Sequence, residues 1–371
     1  QTLNITMSAF DVKKNSAICV LPWVHEYRTI NGNTAPCCYG DTLEEGETLP
    51  SLRKKMLNGI KPLACQTCYI REKESGYSPR VQETVDWLKK FGEPHVDKPK
   101  VEFVDVRFDP TCNLKCKTCG PASSTLWQKE KKVSWPINPN NLSYLNQIDK
   151  KLLKKVYLAG GEPTFIKGYH LFLEELHNIN PECEVVINTN LKKLPDSWKE
   201  IIKKFKNLTI VCSCDSIGTL GTYVRYPLGW QEFEDNVKFV SDNANFLQFN
   251  LVASNLTTHK LFETCNWMKQ YSNNINLTIL TGPQCFTENA VPHSARNVYI
   301  DNITKLKKFP VGVHFALNFR NKIQYLLDKY NDSAYDEKLH RSLQQEITEQ
   351  DSHRSLQLQD VDPFLYGWIY R

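Results

Sequence analysis

The 371 residues exceed what one core normally organises, because single cores stop growing near roughly 250–300 residues, so a large domain with a smaller companion is expected. Hydrophobic residues at 41% and charged residues at 23% exclude a disordered, collagen-like or purely coiled-coil chain, and a net charge of +5 is a weak argument for a nucleic-acid partner. The unusual count is that of cysteine, at 13.

The opening QTLNITMSAFDVKKN lacks a basic segment followed by an apolar run and a small-residue cleavage site. No stretch approaches the ~18 apolar residues that span a bilayer. A cytoplasmic setting without membrane contact is expected, where clustered cysteines bind metal or do chemistry more often than they pair. Cys19, Cys37, Cys38, Cys65 and Cys68 fall in a turn-rich stretch, which predicts a small metal-stapled domain over residues 1–80. Residues 81–100 predict a helix stopping at Gly92, then a polar linker with two prolines.

Over residues 101–310 short β-branched runs alternate with amphipathic stretches. Strands are predicted at 101–108, 154–160, 183–190, 208–214, 246–254 and 275–282, with helices that include 169–179, 197–206, 230–243 and 259–272. Six strands, each followed by a helix, specify a parallel sheet. A partial (β/α)6 TIM-like barrel is expected, with ligands at the C-terminal strand ends. A doubly wound open sheet competes with it, and periodicity does not separate the two. Residues 311–371 predict a helical extension whose apolar end, FLYGWIYR, docks on the rest.

The densest chemical signal is Cys112, Cys116 and Cys119, a C-x3-C-x2-C set just after the first of these strands. Three thiolates so close in a loop suit three irons of a [4Fe–4S] cube, leaving the fourth iron open. A structural zinc that borrows a fourth ligand is the alternative. One βα unit later stands Gly160-Gly161-Glu162-Pro163, where paired glycines let backbone approach closely and a carboxylate accepts from an ammonium.

In this order the motifs resemble those of the radical SAM superfamily, over at least residues 101–282. The resemblance implies that the triplet holds the catalytic cluster and that Gly160, Gly161, Glu162 and Pro163 contact the amino group of S-adenosylmethionine (SAM). Thr189-Asn190 looks like the family's TNG with Leu191 in place of glycine, and Ser213-Cys214-Asp215 resembles its SLD. Arg225 matches an arginine that binds the SAM carboxylate, and Ser254 and Asn255 stand where ribose-binding groups are often found. Thr118 stands where many members carry an aromatic residue that packs on adenine. The implied chemistry is one-electron cleavage of SAM to a 5′-deoxyadenosyl radical, with a reducing donor such as flavodoxin or ferredoxin.

The amino-terminal cysteines resemble a twitch/SPASM-type cluster domain placed before the barrel. Cys19, Cys37, Cys65 and Cys68 are then the expected ligands of a second [4Fe–4S] cluster, with Cys38 the rival for the second position and structural zinc the alternative. Cys183, Cys212 and Cys265 read as small core residues, Cys214 as one that could line the site, and Cys285 as a candidate hydrogen donor to a substrate radical. A peptide or protein substrate is expected first, and a small hydroxylated metabolite, sugar or nucleotide second. A zinc-stapled nucleic-acid adaptor, through basic runs such as Lys151 to Lys155, leaves the strand-end motifs unexplained.

Overall fold

The computed structural model describes residues 8–75, 78–138 and 140–371. Its strands are β1 (His25–Arg28), β2 (Thr34–Ala35), β3 (Phe103–Val106), β4 (Lys155–Leu158), β5 (Glu184–Thr189), β6 (Leu208–Ser213), β7 (Phe246–Ala253) and β8 (Ile275–Ile279). They form one sheet in the order β2-β1-β3-β4-β5-β6-β7-β8. From β3 onward each strand pairs in parallel with the next in sequence. A doubly wound sheet requires that order to reverse at a switch point. From β3 to β8 it never reverses, and the one change of direction, at β1, leads to the antiparallel partner β2 and not to a parallel crossover. Right-handed crossovers therefore put the connecting helices of β3–β8 on one face, and the arrangement is that of a partial barrel.

Helix α1 (Leu21–Val24) precedes β1, and α2 (Leu49–Leu57), α3 (Gln66–Ser75) and α4 (Pro79–Phe91) separate β2 from β3. The crossovers carry α5 (Thr125–Lys131) and α6 (Asn141–Gln147), then α7 (Lys167–Ile179), α8 (Asp196–Lys204), α9 (Gly218–Val224) with α10 (Trp230–Asn243), and α11 (Leu261–Met268). After β8 come α12 (His293–Lys305), α13 (Val313–Asp332), α14 (Glu337–Ser352), α15 (Leu358–Val361) and α16 (Pro363–Tyr370). The Ser78 side chain caps α4 by accepting from the Val81 N–H, and Gly92 ends it at φ +79°.

Two strands were not expected. β1 runs parallel to β3, with His25 opposite Phe103 and Tyr27 opposite Asp105, and β2 pairs antiparallel to β1. The cysteine-rich region therefore extends the sheet. It also has its own apolar cluster, in which Phe10, Trp23, Leu52 and Met56 pack with Trp87 of α4 and Phe103 of β3. Helix α4, read as a connector, is part of that packing.

Strand alternation creates two different faces. Val156, Leu158, Val185, Ile187, Leu208, Ile210, Phe249, Leu251 and Leu277 belong to the main core, while Tyr157, Asn188, Gln248, Asn250 and Asn276 line a cavity of about 520 Å3 inside the curl of the sheet. A TIM barrel normally fills this space with bulky branched side chains. This interior is polar and hollow. At the sheet edge, Lys322 of α13 donates to the Leu277 carbonyl at 2.5 Å. The basic run is largely paired, since Lys154 meets Glu102 at 3.0 Å and Lys155 meets Glu83 at 3.3 Å. No helix among the described residues is long and apolar enough to cross a membrane.

Candidate functional site

The loop after β3 carries Cys112, Cys116 and Cys119, and its backbone is pinned on several sides. Lys115 and Lys117 N–H groups donate to the Tyr226 and Val224 carbonyls at 2.7 and 2.8 Å. Trp127 Nε1 donates to the Cys116 carbonyl at 3.0 Å, and the Ser124 hydroxyl to the Leu114 carbonyl at 2.6 Å. Lys117, between two of the cysteines, pairs with Asp351 of α14, so the carboxy-terminal extension braces the loop from behind. Burial, with the neighbouring cysteines adding to it, pushes the Cys112 and Cys116 thiols up to about 11 and 12. Bare thiolates would repel one another there, and a bound cationic centre reverses that penalty.

Gly160 and Gly161 let two loops meet. A Cβ on Gly161 would stand 2.2 Å from the Thr111 carbonyl oxygen, and one on Gly160, at φ +115°, 2.9 Å from that of Asp109. The Gly161 and Glu162 N–H groups donate to these same carbonyls at 2.9 and 2.7 Å. The close approach expected toward a ligand is therefore made, at these two residues, to the backbone leading into the cysteine loop. Pro163 is buried at the start of the short 3-10 turn that follows.

Glu162 is 1% exposed. Its Oε1 accepts from Thr164 N–H, the Thr164 hydroxyl and the Thr189 hydroxyl at 3.1, 2.8 and 2.6 Å, while Oε2 accepts from Asn190 N–H at 2.7 Å. All four donors are neutral, and desolvation still outweighs them, holding the carboxyl above its ordinary value. Oε2 keeps a free lone pair, so a cation would complete the site. Asn190 also reaches Asn113 Oδ1 at 2.8 Å and lies 3.9 Å from Cys112 Sγ. Leu191, standing where the resembling motif has glycine, keeps the left-handed backbone at φ +50° and buries its side chain fully.

Arg225 donates to Asp215 Oδ2 at 2.8 Å, and Asp215 Oδ1 accepts from Val252 N–H at 3.1 Å. Arg225 Nε is buried without a partner. The Asp215 carboxylate, and Cys116 once ionised, keep the guanidinium charged despite its burial. A buried carboxylate lacking a cation and a buried guanidinium with an idle donor are complementary to an amino acid's two charged groups. The residues present fit SAM and a three-cysteine cluster.

Other sequence candidates lie elsewhere. The Ser213 hydroxyl donates to Asn188 Oδ1 at 3.2 Å, on the cavity side of β6. The Ser254 hydroxyl pairs with that of Thr257 at 3.2 Å inside a turn, and Asn255 Nδ2 staples the Cys285 and Thr287 carbonyls at 2.9 and 3.0 Å. The Ser254 hydroxyl and Asn255 Nδ2 are thus used by the fold, while Asn255 Oδ1 is buried without a partner. Cys285 is buried in the main core, with Ser342 and Glu346 of α14 as neighbours, and it does not line the sheet's cavity. Cys183, Cys212 and Cys265 are core residues as expected, and Cys214 joins them at 1% exposure.

The amino-terminal cysteines separate into two environments. Cys19, Cys37, Cys65 and Cys68, each less than a tenth exposed, line one small cavity with Leu21, Tyr39, Gly40 and Arg80. Burial raises all four thiols, Cys19 to about 12. Arg80 is fixed above them by Glu72, at 2.8 and 2.7 Å. Cys38 points to the sheet's cavity instead, where Arg107 donates to its Sγ at 3.4 Å. Among the described residues no group of three His, Cys, Asp or Glu side chains is already drawn together around a single metal-ion position. Leu21, Cys37 and Tyr39 border both the four-cysteine cavity and the larger one.

No family model matches the chain. A GTP 3′,8-cyclase of Helicobacter pylori is 31% identical over 102 residues, which cover 27% of this chain and 31% of that protein. A GTP 3′,8-cyclase of Nautilia profundicola is 26% identical over 108 residues, 29% of this chain and 32% of that protein. The chain thus spans about a third of the length of the curated relatives it matches. Among solved structures, SuiB of Streptococcus suis aligns at TM-score 0.40 and 17% identity over 69% of this chain and 62% of that one. The enzyme anSMEcpe with bound AdoMet aligns at TM-score 0.43 and 16% identity over 60% of each chain. The sequence matches and the motifs together support the radical SAM superfamily.

Proposed function

We propose that this chain is a radical SAM enzyme acting on a substrate held inside the curl of the sheet. The single observation that carries the reading is a complementary pair beside the cysteine triplet: Glu162 after β4, buried among neutral donors, and Arg225 at the end of α9, with Nε unpartnered, both acting on Cys112. Cys112, Cys116 and Cys119 would hold the catalytic [4Fe–4S] cluster, Glu162 would take the SAM ammonium and Arg225 its carboxylate. The cluster and SAM, when bound, supply one-electron cleavage of the sulfonium and hence a hydrogen-abstracting 5′-deoxyadenosyl radical.

The chain's own residues position and shield that chemistry. Asp215 fixes the guanidinium from one side and is itself tied to β7. Thr164, Thr189 and Asn190 orient the Glu162 carboxylate before any ligand arrives, so little reorganisation remains on binding. Cys19, Cys37, Cys65 and Cys68 would ligate an auxiliary [4Fe–4S] cluster. Its full four-cysteine ligation suits electron transfer over direct substrate binding. A low-potential donor such as flavodoxin or ferredoxin would supply the reducing electron.

The substrate proposed first is a peptide or protein residue. A nucleotide is the second reading, favoured by the local similarity to proteins named GTP 3′,8-cyclase. Metal and sulfide analysis of the anaerobically prepared chain tests the cofactor assignment. About eight irons with as many sulfides per chain are expected for two cubes, and about four for the catalytic cube alone. Zinc without sulfide would overturn the proposal.

A further inference from the structure

The sheet's cavity contains a histidine that nothing so far has used. His25 of β1 is 3% exposed, lines the cavity and lies against Phe103 at 4.5 Å between ring centres. Neither ring nitrogen has a partner in full hydrogen-bond geometry, although the Pro36 carbonyl acts on the ring and pulls its pKa upward. Leaving two buried polar atoms idle is costly, so such a pair points to a ligand that supplies both partners. Burial keeps the ring neutral, pushing its pKa down to about 4 against the opposing pull of Asp105. A neutral imidazole offers one N–H donor and one bare acceptor.

The charged groups around His25 are already matched. Arg107 donates through Nε and a terminal nitrogen to the two Asp105 oxygens at 2.7 and 2.9 Å, and Lys155 reaches Glu83 at 3.3 Å. The other strands contribute carboxamides: Asn276 donates to Asn250 Oδ1 at 3.0 Å and Gln248 to the same oxygen at 3.2 Å. Such a lining offers mixed donors and acceptors. A phosphate would need cations released from existing pairs, and leaving their partners buried alone is expensive.

We propose that His25 is a substrate-binding residue and that this cavity takes an uncharged group bearing both donor and acceptor, a hydroxyl or carboxamide, in preference to a phosphorylated one. The inference rests on the radical SAM reading and narrows the substrate class of its site. The group could be carried by a peptide side chain or by a free polyol, and the test separates those sources.

Equilibrium dialysis of the cluster-loaded chain with millimolar N-acetyl-serinamide, N-acetyl-asparaginamide, myo-inositol and GTP provides it. Retention of either amide locates the group on a peptide, and retention of myo-inositol alone on a free polyol. Either affinity should fall about ten-fold or more in His25→Phe, which keeps a ring against Phe103 but no nitrogen, and recover in part in His25→Gln. The melting temperature of His25→Phe should be no lower than that of the wild type, because two unpartnered polar atoms are removed. A merely structural histidine would lower it. Retention of GTP over all neutral probes, retention of no neutral probe, or binding indifferent to His25→Phe overturns the proposal. Cleavage of SAM by the wild-type chain is scored separately, so its failure refutes the radical SAM reading and not this choice of substrate class alone.

Discussion

Arg225 and Asp215 form a buried ion pair at 2.8 Å in which the guanidinium Nε remains without a partner. The aspartate fixes the plane of the fork and leaves one edge free for a second anion. Arg225→Lys keeps the charge but loses that planar geometry. It should weaken SAM binding about ten-fold or more, with a smaller change in melting temperature. Equilibrium dialysis with labelled SAM on the anaerobic, cluster-loaded protein measures it. An unchanged Kd would mean that Arg225 serves only Asp215.

Gly161 makes a sharper steric prediction. Any side chain there meets the Thr111 carbonyl oxygen at 2.2 Å and the Pro110 carbonyl carbon at 2.6 Å, both backbone atoms. Gly161→Ala must push the cysteine loop away, at a cost of about 1–3 kcal/mol or more. Reduced iron content and a lower melting temperature are expected together. Gly367 of α16 is the control, because nothing lies within 4 Å of its added Cβ. Gly367→Ala should be neutral or stabilising by up to about 1 kcal/mol, the helix-propensity difference. Equal losses in both variants would contradict the close-approach account.

The order of elements was legible because long, periodic segments dominate residues 101–310. All six strands and the four helices given ranges stand where alternation of short β-branched runs and amphipathic stretches puts them, while α5, α6 and α9, each seven residues long, were given no range. The partial barrel was expected from six βα units in succession, but periodicity alone did not separate it from a doubly wound sheet, since alternation is the same whether or not strand order reverses. β1 was missed because HEYR is four residues long and its partner β3 lies far along the chain. Glu162 and Arg225 were singled out through neighbouring motifs, and the fold sets both beside the cysteine triplet. At Asn255 and Cys285 the sequence could not say whether a polar or sulfur atom at a strand end points into a site or into the fold; the fold ties the Asn255 amide nitrogen to the Cys285 carbonyl and packs Cys285 against α14. The polar lining was written into the strands as every second residue, as in Lys155–Tyr157 and Gln248–Asn250, but its signal resembled ordinary solvent-facing alternation.

Cys37 and Cys38 illustrate the same limit at single-residue scale. Spacing favoured Cys37 as the second ligand with Cys38 as its rival, and the folded loop turns Cys37 to the four-cysteine cavity and Cys38 toward Arg107. Cys37→Ser should therefore lose about four irons relative to the wild type, and Cys38→Ser none. Iron analysis on anaerobically purified variants decides it. The reverse pattern would assign the ligand to Cys38.

His25 links stability to pH. Its folded pKa of about 4 lies below the ordinary 6.5, so the unfolded chain takes up the proton first as acid is added. Its contribution is complete above about pH 6.5 and is lost as pH falls from there toward 4. Between pH 7 and pH 5 the loss should reach about 2 kcal/mol. Urea unfolding at the two pH values should show a smaller acid effect in His25→Gln than in the wild type. An identical loss in both proteins would show that the ring is not buried in its neutral form.

The account stands or falls on SAM cleavage at the triplet. The measurement is the yield of 5′-deoxyadenosine when anaerobic, reduced protein is incubated with SAM, for the wild type beside a variant with Cys112, Cys116 and Cys119 all changed to Ala. The account predicts 5′-deoxyadenosine from the wild type and none above background from the variant. No product from iron-loaded wild-type protein, or cleavage that persists in the triple variant, would contradict it.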